Sequence, residues 1–275
     1  MQKYGWSLPI DVSTHGYQID RLIWVIHWFM AVLFVGWFLF FLYTLFRFRA
    51  RAGHKPEHHE KHFKLPTYLE AGVAVFEVVL LVGFSFPIWA HIRNQFPDEK
   101  KALHVRVVAE QFAWNVHYPG PDGVFGRTSP ALMNASNPLG IDRTDPRALD
   151  DIATINQLHI PVDTPVIAQL TSKDVIHSFF LPVMRVKQDT TPGQQIPVWF
   201  QAKQTGDFEI ACAQLCGLGH YRMRGFFVVD PKETFTQWLA EQAPKPEEIA
   251  AWTAAAAAAA SKPVAAPAVA APASH

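Results

Sequence analysis

The feature that most constrains this chain is the run from Leu22 to Phe46, 25 residues without an Asp, Glu, Lys or Arg. At about 1.5 Å of rise per residue, a helix of that length crosses a hydrocarbon core of about 30 Å. A helix buried in a soluble core is the alternative. The length of the run and its flanking Arg21 and Arg47 argue against it. Trp24, Trp28 and Tyr43 near the ends fit interfacial anchoring. His27, the titratable group inside, is expected to face protein or sit near the interface. A second apolar stretch, Leu69 to Ala90, contains Gly72, Gly83 and Pro87, which membrane helices tolerate. It also holds Glu70 near its start and Glu77 inside. A carboxylate at membrane depth is expensive and should face water or a partner protein. For Glu77 the plain reading is an interhelical hydrogen bond.

Between the two spans, Arg47, Arg49, Arg51, Lys55, Lys61 and Lys64 stand against Glu57 and Glu60. The positive-inside rule makes this loop cytoplasmic. Its histidines, His54, His58, His59 and His62, suggest metal, but a solvated loop fixes no geometry for them. Both ends of the chain are then outside. Residues 1–20 lack a basic region followed by a small-residue cleavage site, so no cleaved signal peptide is expected.

Beyond about His91 the chain reads as short strands rich in Val, Ile and Phe, punctuated by Pro and Gly. The expected strands are Leu103–Ala109, Phe112–Tyr118, Thr154–Ile160, Pro165–Thr171, Val175–Leu181, Ile196–Gln201, Asp207–Ala211 and Phe226–Val229. They predict an antiparallel sandwich. Pro119 to Asp151 is dense in Pro, Gly, Asn, Asp and Arg and reads as a long surface insertion. A helix is predicted over Lys232–Gln242, followed from Pro244 by an Ala/Pro-rich tail, extended or partly disordered. Lys+Arg and Asp+Glu both number 24, so charge gives no sign of a nucleic-acid partner. A mean hydropathy of +0.05 averages greasy and wet parts.

The two cysteines, Cys212 and Cys216, both lie in one cluster, so the fold cannot lean on disulfides. The cluster reads I-A-C-A-Q-L-C-G-L-G-H-Y-R-M-R-G from Ile210 to Gly225. Two thiols, the His220 imidazole and the Met223 thioether fall within twelve residues, a soft set that suits copper better than magnesium or calcium. Gly217 and Gly219 permit the tight path that brings them together. A disulfide outside the cytoplasm is one alternative. Zinc is another, though Met is a poor zinc ligand. A mononuclear blue-copper site needs one Cys and two His. His177, in K-D-V-I-H-S-F, is the candidate second histidine; alone it would read as an ordinary strand residue.

Cys212-x-Gln214-x-Cys216-Gly217-x-x-His220-x-x-Met223, with Asp174-Val175-Ile176-His177-Ser178 upstream, resembles the CuA site of cytochrome c oxidase subunit II. The resemblance covers about Ile19 to Val229. It implies a two-helix transmembrane hairpin followed by an all-β cupredoxin-like Greek-key sandwich. The divisions are an external segment (1–20), the hairpin (21–91), a periplasmic CuA domain (92–231), and a C-terminal helix with its Ala/Pro tail (232–275). It implies two coppers bridged by Cys212 and Cys216, with His177, His220, Met223 and the backbone carbonyl of Gln214 completing the shell. Electrons would come from a c-type cytochrome, membrane-held in one reading. They would leave for haem in subunit I, where oxygen is reduced and protons are translocated. Subunit III and membrane lipid are further expected neighbours, in a bacterial inner membrane.

Other positions carry over less fully. Glu70 falls where the family has a glutamate at the mouth of a proton path, although Val73 replaces a usual Trp. Glu110-Gln111-Phe112-Ala113-Trp114 matches the aromatic segment over CuA, with Phe112 in place of the first Trp. Phe112 and Trp114 are expected on one strand face as an altered electron port. Asp189 is either a turn-capping carboxylate or part of the subunit I interface. Gln214 stands where many relatives have a Glu that helps hold an interface magnesium; a neutral amide suits that ion less, so a weak or rebuilt magnesium site is expected. Three other assignments compete. A copper-free quinol oxidase subunit II conflicts with the intact ligand set. The CuA module of a nitrous oxide reductase would lack the hairpin, and a copper carrier would favour an open site with few ligands.

Overall fold

The computed structural model describes residues 8–53 and 63–260. The four loop histidines and the Ala/Pro repeats after Ala260 lie outside the described residues. Helix α1 spans Gly16–Arg47. Helix α2, Leu65–Leu80, runs through a π-helical turn, Leu81–Ser85, into α3, Phe86–Asn94. Both long helices, Gly16–Arg47 and Leu65–Asn94, are long and apolar enough to cross a membrane. The π turn has a local cause. Pro87 lacks an N–H and its ring would collide with the carbonyl four residues back, so the helix widens. The Phe86 N–H reaches back five residues to the Leu81 carbonyl. The helices meet where the Phe29 and Phe76 rings lie 4.2 Å apart.

The sandwich has ten strands: β1 (Leu103–Glu110), β2 (Ala113–Tyr118), β3 (Ile152–Ile155), β4 (Gln157–Pro161), β5 (Pro165–Ser172), β6 (His177–Leu181), β7 (Val186–Thr190), β8 (Ile196–Gln201), β9 (Gly206–Cys212) and β10 (Arg224–Asp230). One sheet has the order β3-β2-β1-β5-β8 and the other β4-β10-β9-β6-β7. Alternating residues face inward, so Val105, Val107 and Ala109 of β1 pack with Phe179, Ile210 and Phe227 from the opposite sheet. The sandwich is not wholly antiparallel as expected: β1 pairs in parallel with β5, and β4 with β10. The strand predicted over Thr154–Ile160 is two strands, one in each sheet. The chain changes sheets at Asn156, whose φ of 58° an Asn side chain tolerates. Asn156 also joins the layers. Its N–H donates to the Trp114 carbonyl at 2.7 Å, its carbonyl accepts from Phe226 N–H at 2.7 Å, and its Oδ1 accepts from Trp114 N–H at 2.8 Å. Strand β7 escapes sequence reading because its polar Lys187-Gln188-Asp189 looks like a turn; it is an edge strand.

The residues before α1 are built into the sandwich. Val12 is buried in the core, its N–H donates to the Val183 carbonyl, and its own carbonyl accepts from Lys203 N–H. Arg185 Nε and Nη2 donate to the Asp20 carboxylate at 2.6 and 2.8 Å, tying α1 to the domain. At the end of α3, Trp199 Nε1–H donates to the Ile92 carbonyl at 2.8 Å, so the start of α1 and the end of α3 are held to the same body.

The stretch 119–151 is less of a surface feature than expected. Leu139, Ile141 and Ala148 form a small second core. Asp151 is fully buried and accepts from His117 Nε2–H at 2.8 Å and from Gly126 N–H at 2.9 Å. Asp145 is also buried and accepts from Arg127 N–H. After β10, helix α4 (Lys232–Gln242) falls where predicted, and Trp238 stacks on His159 at 3.9 Å. The tail does not become extended at Pro244. It forms helix α5 (Pro246–Ala260), as alanine's high helix propensity favours, and Trp252 lies under the Arg143 guanidinium.

The His117–Asp151 pair predicts a pH dependence. Burial lowers the His117 pKa below its ordinary 6.5, against the opposing pull of Asp151. His15 shifts the same way, chiefly through burial. The unfolded chain therefore binds these protons first, and stability present above pH 6.5 is lost as the pH falls below it. Thermal unfolding of the copper-free protein should show that slope, and His117→Gln should flatten it without abolishing it, since His15 remains. An unchanged slope would refute the assignment.

Candidate metal centre

Three connections meet at one end of the sandwich. The β1–β2 turn carries Gln111 and Phe112, the β5–β6 turn carries Asp174, and the β9–β10 loop carries Cys216 and His220. Asp174 links the first two: its Oδ2 accepts from Gln111 N–H at 2.7 Å, and its Oδ1 from Val175 N–H at 2.7 Å. Gln111 links the third, its Nε2 donating to the Cys216 carbonyl at 2.6 Å. The residue pattern gave neither side chain a role, although both stand in the quoted motifs.

The predicted ligands converge. His177 begins β6, fully buried, and its Nε2–H donates to Asp174 Oδ1 at 2.8 Å. Its Nδ1 is left buried without a hydrogen-bond partner. Ligand atoms of His177, Cys212 and Cys216 all lie within 4.8 Å of one another. The two sulfurs are 3.8 Å apart and the cysteines are free, so the disulfide alternative is not what the structure contains. Cys216 Sγ is 3.6 Å from His220 Nδ1 and 3.7 Å from Met223 Sδ. Cys212 Sγ lies 3.2 Å from the Gln214 carbonyl oxygen, while the Gln214 side chain is exposed.

The protonation of the pair favours a cation. Burial pushes the Cys216 thiol up to about 11, and charge on Cys212 adds to the effect. Burial acts on Cys212 in the same direction, but the neighbouring His177 and the backbone at Ser178 and Gln214 prevail and bring it down to about 6. Left to themselves, the two sulfurs hold one negative charge. Both become thiolates only with positive charge between them. Burial lowers the His177 imidazole, but Cys212 and Asp174 outweigh it and raise its pKa overall. Burial likewise opposes charge on Asp174, which His177 and the Gln111 and Val175 N–H groups hold below the ordinary carboxylate value. An orphaned imidazole nitrogen, two thiols, a second imidazole and a thioether fit a soft metal.

Comparison with known proteins agrees with this geometry. Residues 103–229 match the family described as cytochrome C oxidase subunit II, periplasmic domain. The chain is 32% identical over 238 residues to the alternative cytochrome c oxidase subunit 2 of Bradyrhizobium diazoefficiens, covering 86% of this chain and 84% of that protein. The chain belongs to the cytochrome c oxidase subunit II family. Subunit 2 of Cereibacter sphaeroides is 29% identical over 252 residues, covering 84% of this chain and 77% of the relative. The crystal structure of the periplasmic domain of subunit II of cytochrome oxidase from Bradyrhizobium japonicum is 28% identical, with a TM-score of 0.40. It covers 54% of this chain and 96% of that one. This subunit II is thus a component of a haem–copper oxidase, an oxidoreductase complex. Its family implies copper, and His177, Cys212 and Cys216 form a group able to hold it.

The other predicted residues lie in different settings. Trp114 is fully buried beneath the site, its ring edge-on to His177 at 6.3 Å and to Phe179 at 5.6 Å. Phe112 does not share its strand face, because β2 begins only at Ala113 and Phe112 belongs to the turn. Its half-buried ring lies against the ligand loop. Glu70 is exposed on α2, away from the metal group, and Asp189 is exposed on β7. Around the ligands large apolar side chains are exposed, Leu215 by 78%, Leu218 by 97% and Tyr221 by 85%, among the exposed polar residues Gln214, Arg222 and Asp174. Large apolar residues between loop glycines were the available signal for that rim.

Phe112 explains why Gly219 has no side chain. A Cβ there would lie 2.4 Å from the Phe112 Cδ2, so ring or loop would have to move. Gly219→Ala should destabilise the protein by about 1–3 kcal/mol, the usual cost of overpacking. Adding Phe112→Ala should recover part of that loss. A thermal-unfolding double-mutant cycle measures the coupling, and simple additivity would count against the contact.

Proposed function

We propose that this chain is the electron-accepting subunit of a terminal oxidase and holds a dinuclear CuA centre. The observation that carries the reading is the pair of sulfurs 3.8 Å apart, with a buried, unpartnered imidazole nitrogen beside them. Cys212, Cys216, His177, His220, Met223 and the Gln214 carbonyl would hold the metals. Bound there, the copper pair supplies one-electron transfer from a c-type cytochrome to haem in subunit I, where oxygen is reduced to water with proton translocation. The protein's own residues hold that set still. Asp174 fixes the His177 ring and its tautomer, and Gln111 clamps the Cys216 carbonyl. Trp114 and Phe179 close the floor against water.

In the same reading Glu70 opens a proton path into subunit I, and subunit III is a further neighbour. The membrane is the bacterial inner membrane, with the copper domain on the periplasmic side. Gln214 offers the interface magnesium an amide instead of a carboxylate, so that ion is held weakly or elsewhere. A copper-free quinol oxidase subunit would have no use for two free thiols placed this close.

Metal analysis with optical and paramagnetic-resonance spectra tests the centre. Two coppers per chain are expected in the purified oxidase. Cys212→Ser or Cys216→Ser should abolish the dinuclear signal, because a hydroxyl cannot replace a bridging thiolate. Met223→Leu should keep copper and shift its potential. One zinc and no copper would end the proposal.

The electron donor is read from the surface. Asp145 and Asp151 turn inward, and Asp142 pairs with Arg127 at 2.8 Å, so the insertion offers no clean acidic patch. The ligand loop from Ala213 to Arg222 exposes Leu215, Leu218 and Tyr221 and carries no carboxylate. A soluble basic cytochrome would be steered weakly, and the donor in this reading is a membrane-held or complex-bound c-type haem. Turnover with a basic soluble cytochrome c should be slow and little changed by salt. Fast turnover that collapses as salt rises would refute this, as would a Phe112→Trp variant with unchanged rate and donor preference.

A further inference from the structure

The outer face of the first sheet carries a cation that no described residue pairs with. Along β1, Val105, Val107 and Ala109 point into the core, so Arg106 and Val108 point outward. Arg106 stands level with His117 on β2 and Gln169 on β5. The insertion 119–151 lies over this face. It brings the centre of the Phe125 ring to 4.0 Å from the Arg106 guanidinium carbon, and Leu139 into the small core that packs against Val108. Between sheet and insertion is a cavity of about 330 Å³, lined also by the β7–β8 turn at Pro192 and Gly193. Thr128, Met133 and Gln195 are exposed at its mouth.

Arg106 makes no hydrogen bond or ion pair among the described residues, and its Nε is buried without a partner. Burial lowers its pKa, and Asp151 acts on it through space in the opposite sense. The Asp151 carboxylate is itself engaged by His117 Nε2–H and Gly126 N–H. Lys173, the other cation in the cavity wall, is paired with Glu110. No described carboxylate lines the cavity. A partly buried guanidinium without an anion is costly. On β5, Gln169 and Thr171 face the same space with side chains that have no hydrogen-bond partner among the described residues. The remaining wall is apolar, built from Val108, Met133 and Leu139.

We propose that this cavity is a binding site for a small organic monocarboxylate. The Arg106 guanidinium takes the carboxylate through its planar fork of N–H donors, with Gln169 and Thr171 as further donors. The apolar wall takes the carbon body, and the volume is that of a small-ligand pocket. One unpaired cation matches one negative charge, which disfavours a phosphate dianion. Inorganic phosphate also has no body to set against Val108, Met133 and Leu139. The bound ligand bridges the sheet and the insertion, so it fastens the one to the other. This inference is independent of the copper reading and would hold for a chain that bound no metal.

The test uses the complete oxidase with hexanoate as the probe. Hexanamide serves as its uncharged counterpart, and inorganic phosphate as a charge without a carbon body. Amide hydrogen exchange read peptide by peptide localises the effect and sets aside binding elsewhere in the complex. Hexanoate should slow exchange saturably over residues 127–139 and 192–195. Hexanamide and phosphate should each need about tenfold higher concentration, or more, for the same protection. Arg106→Gln should weaken the hexanoate effect by about tenfold. Unchanged exchange in β6 and β9 would show that this variant is folded. Gln169→Leu leaves the cation in place and should weaken binding by about threefold. No saturable protection of the wild-type protein would overturn the proposal, as would full hexanoate protection in Arg106→Gln. Equal protection by hexanamide would make the cavity a plain apolar pocket, and equal protection by phosphate a plain anion site. Either result would overturn the proposal as well.

Discussion

The Asp174 carboxylate is the group on which the metal-binding end of this protein depends. One oxygen accepts from the His177 ring and the Val175 N–H, and the other accepts from the Gln111 N–H. A single side chain therefore fixes the histidine and joins two inter-strand turns. With Nε2 engaged, the His177 ring has one nitrogen left to offer, and that nitrogen is the buried atom without a partner. Gln111 carries the same chain of contacts to the Cys216 carbonyl. The ligand loop is then fastened at its middle as well as by the strands at its ends.

Stiffness beneath this end has a separate source. Asn156 crosses from one sheet to the other and bonds to Trp114 and Phe226 on the way. Trp114 touches the His177 ring from below, so movement of either sheet would be felt at the site. A close-packed floor resists movement of the side chains above it. The rim above is different in character. Leu215, Leu218 and Tyr221 face solvent there, beside exposed Gln214 and Arg222.

The membrane half is tied to the domain by few but definite contacts. The Val12 backbone bonds, the Asp20–Arg185 pair, and the Trp199 Nε1–H bond to the Ile92 carbonyl at 2.8 Å set the helices against the sandwich. Most of the helix surface remains apolar and exposed, as expected of a subunit that assembles with other membrane chains. The carboxylates Glu70 and Glu77 interrupt that surface on one flank.

Much of this protein was legible in its sequence, wherever one residue's chemistry sufficed. Twenty-five uncharged residues can only be accommodated by a long apolar environment, and the spacing of Cys212, Cys216, His220 and Met223 brings soft ligands together within one loop. Helix α4 and most strands were visible for the same local reason, a period of burial along the chain. Strand β7 was not, because an edge strand is held by its neighbour and can be polar. The break at Asn156 was invisible because β-rich residues continue on both sides of it, and only pairing to two different sheets divides them. Asp174 and Gln111 look like ordinary turn residues, and Trp114 looks like a surface aromatic beside Phe112. Their roles depend on what stands opposite once residues 63 and 105 positions apart are brought into contact. Which side chains could serve as ligands is a property of residue type and was legible in the sequence. Ligand orientation depends on long-range hydrogen bonds between loops, and only the tertiary structure could decide it.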